Sequence, residues 1–400
     1  MPSSPRTPGP WLPALTIAGL LVAPAAAVAA AHATLVVAKD GLGSPKDCDA
    51  PIPTPYTTIG AAVAAARAGD LIKVCPGIYA EQVVIAKSLT LQGENGAVMR
   101  PSAMQANTTS LVTGSDLAVV IVVDGAKDVA IEGLTVDGAD NGLNCTPSLF
   151  GVFFRNASGA IRNSVIENMR PELAACASSG TGIFVQSAGG STSKVRIEGT
   201  SIHDYQKNGI TANEAGTDVR IGKGNVVTGL GSTAESVQNG IQLAFGATGV
   251  IEDSIVTNNI SATCVSVSVC PSNANDVIIF QSDGVRVSDN VLGLSQTGVF
   301  VEGDDNTVTN NRVFDMQVFD GVAVFGNRNR IHHNTIVRSD ESAIFIDGDH
   351  NKVVGNRINE APVGILKSGT GNVFAGNRFF NTPTPDPVAG PAGSRASPQR

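Results

Sequence analysis

The chain has 400 residues, 42% hydrophobic but only 4% aromatic and 16% charged, with 44 glycines and a formal charge of −8. So much glycine with so little charge departs from an enzyme of packed helices and from a disordered chain, which is charge-rich and core-poor. The acidic balance also lacks the basic footprint of nucleic-acid binding.

Residues 1–33 read as a signal peptide: Arg6 precedes an apolar run from Ala14 to Val28, and Ala31-His32-Ala33 offers a cleavage site after Ala33. No later stretch reaches the 18 or so apolar residues of a membrane helix, so no membrane span is expected after its removal. Trp11, the one tryptophan, falls inside this segment. Export to the periplasm or beyond makes disulfides the expected state of the six cysteines, with buried free thiols as the alternative. Residues 34–380 form the next unit. It opens with a helical cap over 54–70, where a Thr-rich start precedes Ile59, Val63 and Ala66 and Gly69-Asp70 ends the run. Strands are expected at Leu71–Val74, Val83–Ile85 and Leu89–Leu91.

The rest of this unit is repetitive. Gly298-Val-Phe-Val and Gly321-Val-Ala-Val open copies that continue at Ala343 and Gly364, 21 to 23 residues apart. Asn306, Asn329, Asn351 and Asn372 form one column, and Asn290, Asn311, Asn334, Asn356 and Asn377 another. Earlier copies open at Gly151, Gly182, Gly209 and Gly240, the last with Val250 and Ile255 at the offsets of Val308 and Val313; Val277 opens a copy without its glycine. Apolar residues alternate with period two inside each copy, and Gly and Asn punctuate the turns. Such a repeat makes one coil of a parallel β-helix, an all-β solenoid of about twelve coils whose asparagine columns are inward amide ladders. Residues 381–400, rich in Pro, Gly and Ala, are expected to be a disordered tail.

Residues 54–96 resemble the opening of pectin-lyase-like right-handed β-helix proteins, and 151–380 resemble the β-helix repeat region of secreted bacterial proteins, NosD-type periplasmic proteins included. The resemblance implies the fold and leaves the activity open. Gly77-Ile-Tyr79-Ala-Glu81 is similar to the first motif of pectin methylesterases, but the residues that would supply their acid and nucleophile are missing. The polygalacturonase and mannuronan epimerase patterns are missing as well; Asp347-Gly-Asp349-His350 only echoes the latter.

In register, Glu302, Phe325, Asp347 and Ser368 share a column, as do Asp305, Arg328, His350 and Gly371, and Asp315, Arg338 and Glu360. Glu302 and Asp347 then stand two coils apart, roughly 9–10 Å. That is too far for one calcium ion to be shared easily, so no metal or other cofactor is expected, with calcium as the alternative. The outward face of the strand after each glycine carries Phe153, Phe184, Thr211, Gln242, Ile279, Phe300, Ala323 and Phe345. Its second column is Arg155, Gln186, Asn213, Ala244, Gln281, Glu302, Phe325 and Asp347. Exposed Phe beside amides would suit an extended polysaccharide, with Phe153, Phe184, Gln186, Asn213, Gln281, Phe300 and Phe345 as binding residues; the alternative is a face covered by loops. The long connections 136–150, 167–181, 226–239 and 256–276 gather along one edge of that face. Catalytic candidates are Arg155, Glu302, Asp347 and His203, which with Asp204 forms a base-and-orienter pair. His332-His333 supplies at most part of a metal site. The register sets Cys145 opposite Cys176, Cys264 and Cys270 share a loop, and Cys48 and Cys75 remain as a pair. The functional expectation is binding or processing of an extended polysaccharide; the alternatives are a non-catalytic scaffold and a NosD-like periplasmic accessory factor.

Overall fold

Period-two alternation broken by glycine and asparagine folds into three short strands for each turn of chain. In the computed structural model, which describes residues 32–389 apart from 269, 271 and 386, together with 1–4 and 9, these strands stack into three sheets. The first has 13 strands, from Thr34–Val37 to Val373–Ala375; the second has 12, from Gly77–Tyr79 to Arg378–Phe380. The third has 13, from Val83–Ile85 to Val388–Ala389, including the antiparallel Thr108–Thr109. The other pairings are parallel, each strand matched to its equivalent one coil away, as Val299↔Val322↔Ile344↔Ile365 illustrates. The architecture is a right-handed parallel β-helix. The expected signal peptide lies almost wholly outside the described residues.

The core is a continuous column of branched aliphatic side chains, because inward positions of all three sheets repeat Val and Ile. Helix Ile59–Ala65 buries Ile59, Ala62 and Val63, and the Thr58 side chain accepts from the Ala61 N–H at its start. Beyond the strands read from the sequence, Thr34–Val37 extends the first sheet.

Both asparagine columns are ladders. The Asn334 Oδ1 accepts from the Asn311 backbone N–H and Nδ2, each at 3.0 Å, while its own Nδ2 reaches Val308 O at 2.9 Å and Asn356 Oδ1 at 3.1 Å. The other column repeats the pattern, with Asn306 N on Asn329 Oδ1 and Asn329 N on Asn351 Oδ1, both 2.8 Å. These side chains satisfy turn amides that water cannot reach. Arg328 bridges Asp304 and Asp305 at 3.0 and 2.8 Å, and Arg338 sits between Asp315 and Glu360 on the surface.

The sequence phase slips at two places. Val277 pairs with Ile241 and Val299, so Asp276, not Val277, fills the glycine position. Ile278 therefore joins the Phe column and Phe280 the next; Ile279 points inward, and Gln281 is an exposed turn residue with φ of 50°. Four successive apolar residues, Val277 to Phe280, carry no alternation that could set the phase. Ile251 and Val256, not Val250 and Ile255, are inward, because the turn after Ala244 is one residue longer. Two connections are also shorter than expected, since strands Val226–Thr233 and Ile255–Ser261 pair with each other along most of their length. At the C-terminal end Val388–Ala389 pairs with Leu366 and Lys367, so ordered chain extends past 381; residues 390–400 lie outside the described set.

Cys48–Cys75, Cys145–Cys176 and Cys264–Cys270 are disulfide-bonded. Cys145 and Cys176 are 31 residues apart, and replacing both by alanine should cost about 3–4 kcal/mol by loop-closure entropy. Urea unfolding of the double variant checks this; a loss below about 1 kcal/mol would rule the staple out as a stabilising element.

Candidate functional site

The outward Phe column is built as the sequence implied, but it is not an open groove. Phe153, Phe184, Phe300 and Phe345 are 0, 6, 1 and 5% exposed. Phe184 stacks on Phe153 at 4.8 Å and on Phe150 at 5.2 Å; Phe325 bridges Phe300 and Phe345, each at 5.2 Å. Over the first of these clusters, the segment around Thr108–Thr109 is tied across the sheet. Arg155 Nε donates to Thr109 O at 3.2 Å, and Gln186 Oε1 accepts from the Leu111 N–H at 2.8 Å. Gln186 and Arg155 are thereby structural, and Arg155 also pairs with Asp124 at 3.0 Å. Further along, Asn213 Oδ1 accepts from Gln242 Nε2 at 3.2 Å within an amide network that includes Asn208 and Thr211. The exposed ring in this region is Phe245, edge-on to Phe280 at 5.5 Å.

The four catalytic candidates are not brought together. Arg155, Glu302 and Asp347 lie on the third sheet in well-separated coils, with Phe325 between the last two, and Asp347 accepts from Ser368 Oγ at 2.5 Å. His203 belongs to the second sheet. Its Nδ1 is 2.7 Å from Asp204 Oδ2, and its Nε2 is 3.6 Å from Glu167 Oε2. The local His–Asp contact was legible in the sequence; Glu167, 36 residues earlier and one coil away, was not.

A concavity lies on the outer face of the first sheet. A trough of about 820 Å³ is lined by Lys127, Arg162, Lys194, Arg196 and Arg220, with Asp128 and Asp218. One register row supplies its floor and one wall: Ala130, Ala160, Arg196, Arg220 and Val250 stand side by side in successive coils. The alanines leave the depth, and the arginines that follow close one side. Arg162 is held by Glu132 at 2.8 Å and Glu198 at 3.3 Å, and Arg220 by Glu252 at 2.5 Å. Lys223 and then Arg162 hold the Glu198 carboxyl below its ordinary range. Lys194 and Arg196 are exposed and have no carboxylate partner among the described residues. The signal was present in Lys194-Val-Arg196-Ile and Asp218-Val-Arg220-Ile, where charges alternate with core residues. These charges lie on a different strand of the coil from the glycine-led one that carries the Phe column.

Soft metal donors are sparse. All six cysteines are in disulfides, and Met99, Met104, Met169 and Met316 are buried. His332 and His333 meet Nδ1 to Nδ1 at 3.1 Å, and His332 also meets Thr309 Oγ1 at 3.1 Å. Burial, followed by His333, Arg286 and Arg330, pushes the His332 imidazole below its ordinary value. Among the described residues no group of three or more His, Cys, Asp or Glu could hold a metal ion.

Three solved structures share this architecture at low identity. A lacto-N-biosidase from Eubacterium ramulus matches with a TM-score of 0.60 and 11% identity over 88% of this chain and 67% of its own. A DFA-IIIase from Arthrobacter chlorophenolicus A6 matches at 0.52 and 14% over 86% and 93%. The A-module of a mannuronan C-5 epimerase from Azotobacter vinelandii matches at 0.51 and 14% over 84% and 91%. At such identities the likeness is one of fold. No curated protein matches the sequence. Residues 160–384, more than half of the chain, match the family described as periplasmic copper-binding protein (NosD), and the chain belongs to that family.

Proposed function

We propose that this protein is an exported β-helix protein that holds an extended anionic polysaccharide in the trough on the outer face of its first sheet. The observation that carries the reading is the cationic lining of that trough in a chain whose net charge is −8. Of the five lining cations, Arg162 and Arg220 are held by Glu132, Glu198 and Glu252, and Asp128 and Asp218 also line the trough; Lys194 and Arg196, which have no carboxylate partner among the described residues, are left to pair with something outside the chain. An acidic protein with one concentrated basic patch draws polyanions to that patch and repels them elsewhere. Three disulfides and the periplasmic family support an oxidising, extracytoplasmic setting. The carbohydrate-active proteins of the same fold support the ligand class. On the glycine-led face, by contrast, Phe153, Phe184, Phe300 and Phe345 are already covered.

Copper, which the family description implies, does not fit the donors of this chain. His332 and His333 sit beside Arg286 and Arg330, whose charges oppose a cation; the six cysteines are disulfide-bonded, and Met99, Met104, Met169 and Met316 are buried. Dialysis against copper followed by metal analysis should leave less than one equivalent on the protein; a stoichiometric ion would reverse this assignment.

Affinity electrophoresis through gels carrying pectate or alginate tests the main reading, with dextran as the neutral comparison. Retardation by a polyanion and not by dextran is expected, weakening as salt rises. Equal mobility in all gels, with folded protein, would sink it.

A further inference from the structure

The register row that floors the trough does not end with it. Past Val250 the same outward row of the first sheet runs Arg286, Thr307, Arg330, Lys352 and Val373, one residue to a coil. Across the asparagine turns the second sheet carries a matching outward row, Val291, Arg312, Thr335, Arg357 and Arg378. Every coil from Arg286 onward therefore presents a cation in one row or the other, and the coil of Lys352 and Arg357 presents two. All six cations are exposed, and none has a carboxylate partner among the described residues. These strands and the turns between them hold two carboxylates: Asp289, and Asp315, which Arg338 holds.

The cations are spread along an edge, not gathered in a hollow. The two sheets meet at two-residue turns, such as His333-Asn334 and Gly355-Asn356, whose asparagines are buried in the ladder. The chain turns around the core there, so the corner is convex. Over the four steps between coils the cations span roughly 19 Å. A convex line of charge cannot enclose a single polymer strand, but it can rest on a surface whose opposite charges are spread over an area. Apolar groups at the last coil point to the same kind of surface. Val373 is 47% and Phe380 41% exposed, and Arg357 lies over the Phe380 ring at 4.6 Å. An exposed aromatic ring among basic side chains suits the boundary between lipid headgroups and acyl chains, ring toward the chains and charge toward the phosphates.

We propose that this edge docks the protein on an anionic phospholipid surface, its six cations facing lipid phosphates and Phe380 seated among the headgroups. The contact is peripheral and separate from polymer binding in the trough. Each cation close to such a surface contributes about a fivefold gain in partition, so the contact is shared among the coils and screened by salt.

Sedimentation of the full chain with vesicles tests this, using phosphatidylcholine alone and phosphatidylcholine with phosphatidylglycerol in equal parts. Binding to the mixed vesicles and not to the neutral ones is expected, falling as salt rises. Arg357→Gln with Arg378→Gln should weaken it about 25-fold, and Arg330→Gln with Lys352→Gln, mostly on the other sheet face, by a similar factor. Lys46→Gln with Arg67→Gln removes the same charge from exposed positions near the first coil and should leave binding unchanged. No sedimentation with the mixed vesicles, equal sedimentation with both kinds, or an equal loss in the Lys46 and Arg67 variant overturns the proposal. Loss of retardation in polyanion gels by the edge variants, without vesicle binding by the unaltered protein, would assign the edge to a soluble polymer instead.

Discussion

Asn334→Ala should lower the unfolding free energy by about 4 kcal/mol, read from the midpoint and slope of urea unfolding. The substitution leaves the Asn311 backbone N–H and one Nδ2 hydrogen without an acceptor, and both are buried. Each stranded donor costs roughly 1–3 kcal/mol, because the desolvation already incurred is no longer offset by a bond. The Val308 carbonyl loses a donor too. Arg338→Ala makes the informative contrast. It removes contacts to Asp315 and Glu360, but all three side chains are well hydrated, and a surface pair of this kind is worth about 0–1 kcal/mol. A loss at Asn334 no larger than that at Arg338 would mean that the ladder is decorative.

The second large effect is electrostatic. Changing Lys194 and Arg196 together to glutamate should weaken polyanion binding on the order of 100-fold, equivalent to roughly 2.8 kcal/mol. Neither side chain is tied into an ion pair among the described residues, so reversal breaks no such pair. Both line the trough from a single strand, Ser193–Glu198, whose inward Val195 and Ile197 remain in place. The variant should also lose much of the salt dependence of the unaltered protein, because the two lining cations without carboxylate partners among the described residues are gone. Arg328→Glu reverses a cation as exposed as these at a corner between sheets, outside the trough. If it weakens binding equally, net charge rather than the trough attracts the polymer.

Much of the architecture was legible because the repeat constrains it twice. Glycines and asparagines recur at fixed offsets, and Val and Ile alternate between them, so strand, turn and ladder positions are read from the same rows. The Cys145–Cys176 disulfide followed from that register as well. Legibility failed where one of the two constraints lapsed. At Val277 the glycine is replaced by Asp276 and the next three residues are all apolar, so nothing in the local pattern distinguishes inward from outward. Asp276 itself is fully buried, its Oδ1 accepting from Ser295 Oγ and Asn259 Nδ2 at 2.5 and 3.0 Å, and burial drives its carboxyl well above the ordinary range. A buried acid at a glycine position is not something periodicity anticipates.

The candidate sites were less legible for a different reason. A binding surface on a β-helix is a column across coils, and its members are separated by 24 to 36 residues even where they touch. Arg196 and Arg220 are neighbours in space because their strands pair, as are Glu167 and His203 because theirs do. The coils here differ in length, so those columns can be assembled only once every insertion is placed. The Phe column is legible in the repeat, but the segment around Thr108 that crosses its first cluster is described by no repeat.

Because nearly every strand meets only its counterparts in the coils before and after it, the protein is thermodynamically a line of neighbours, not a single shared core. Disturbance at one coil reaches distant ones only by passing through each coil between. The trough at Arg196 and the paired histidines at Arg330 are therefore nearly independent in stability, although one hydrophobic column runs beneath both. Such a chain can change its outer columns one coil at a time, and its surface can diversify while its interior stays uniform.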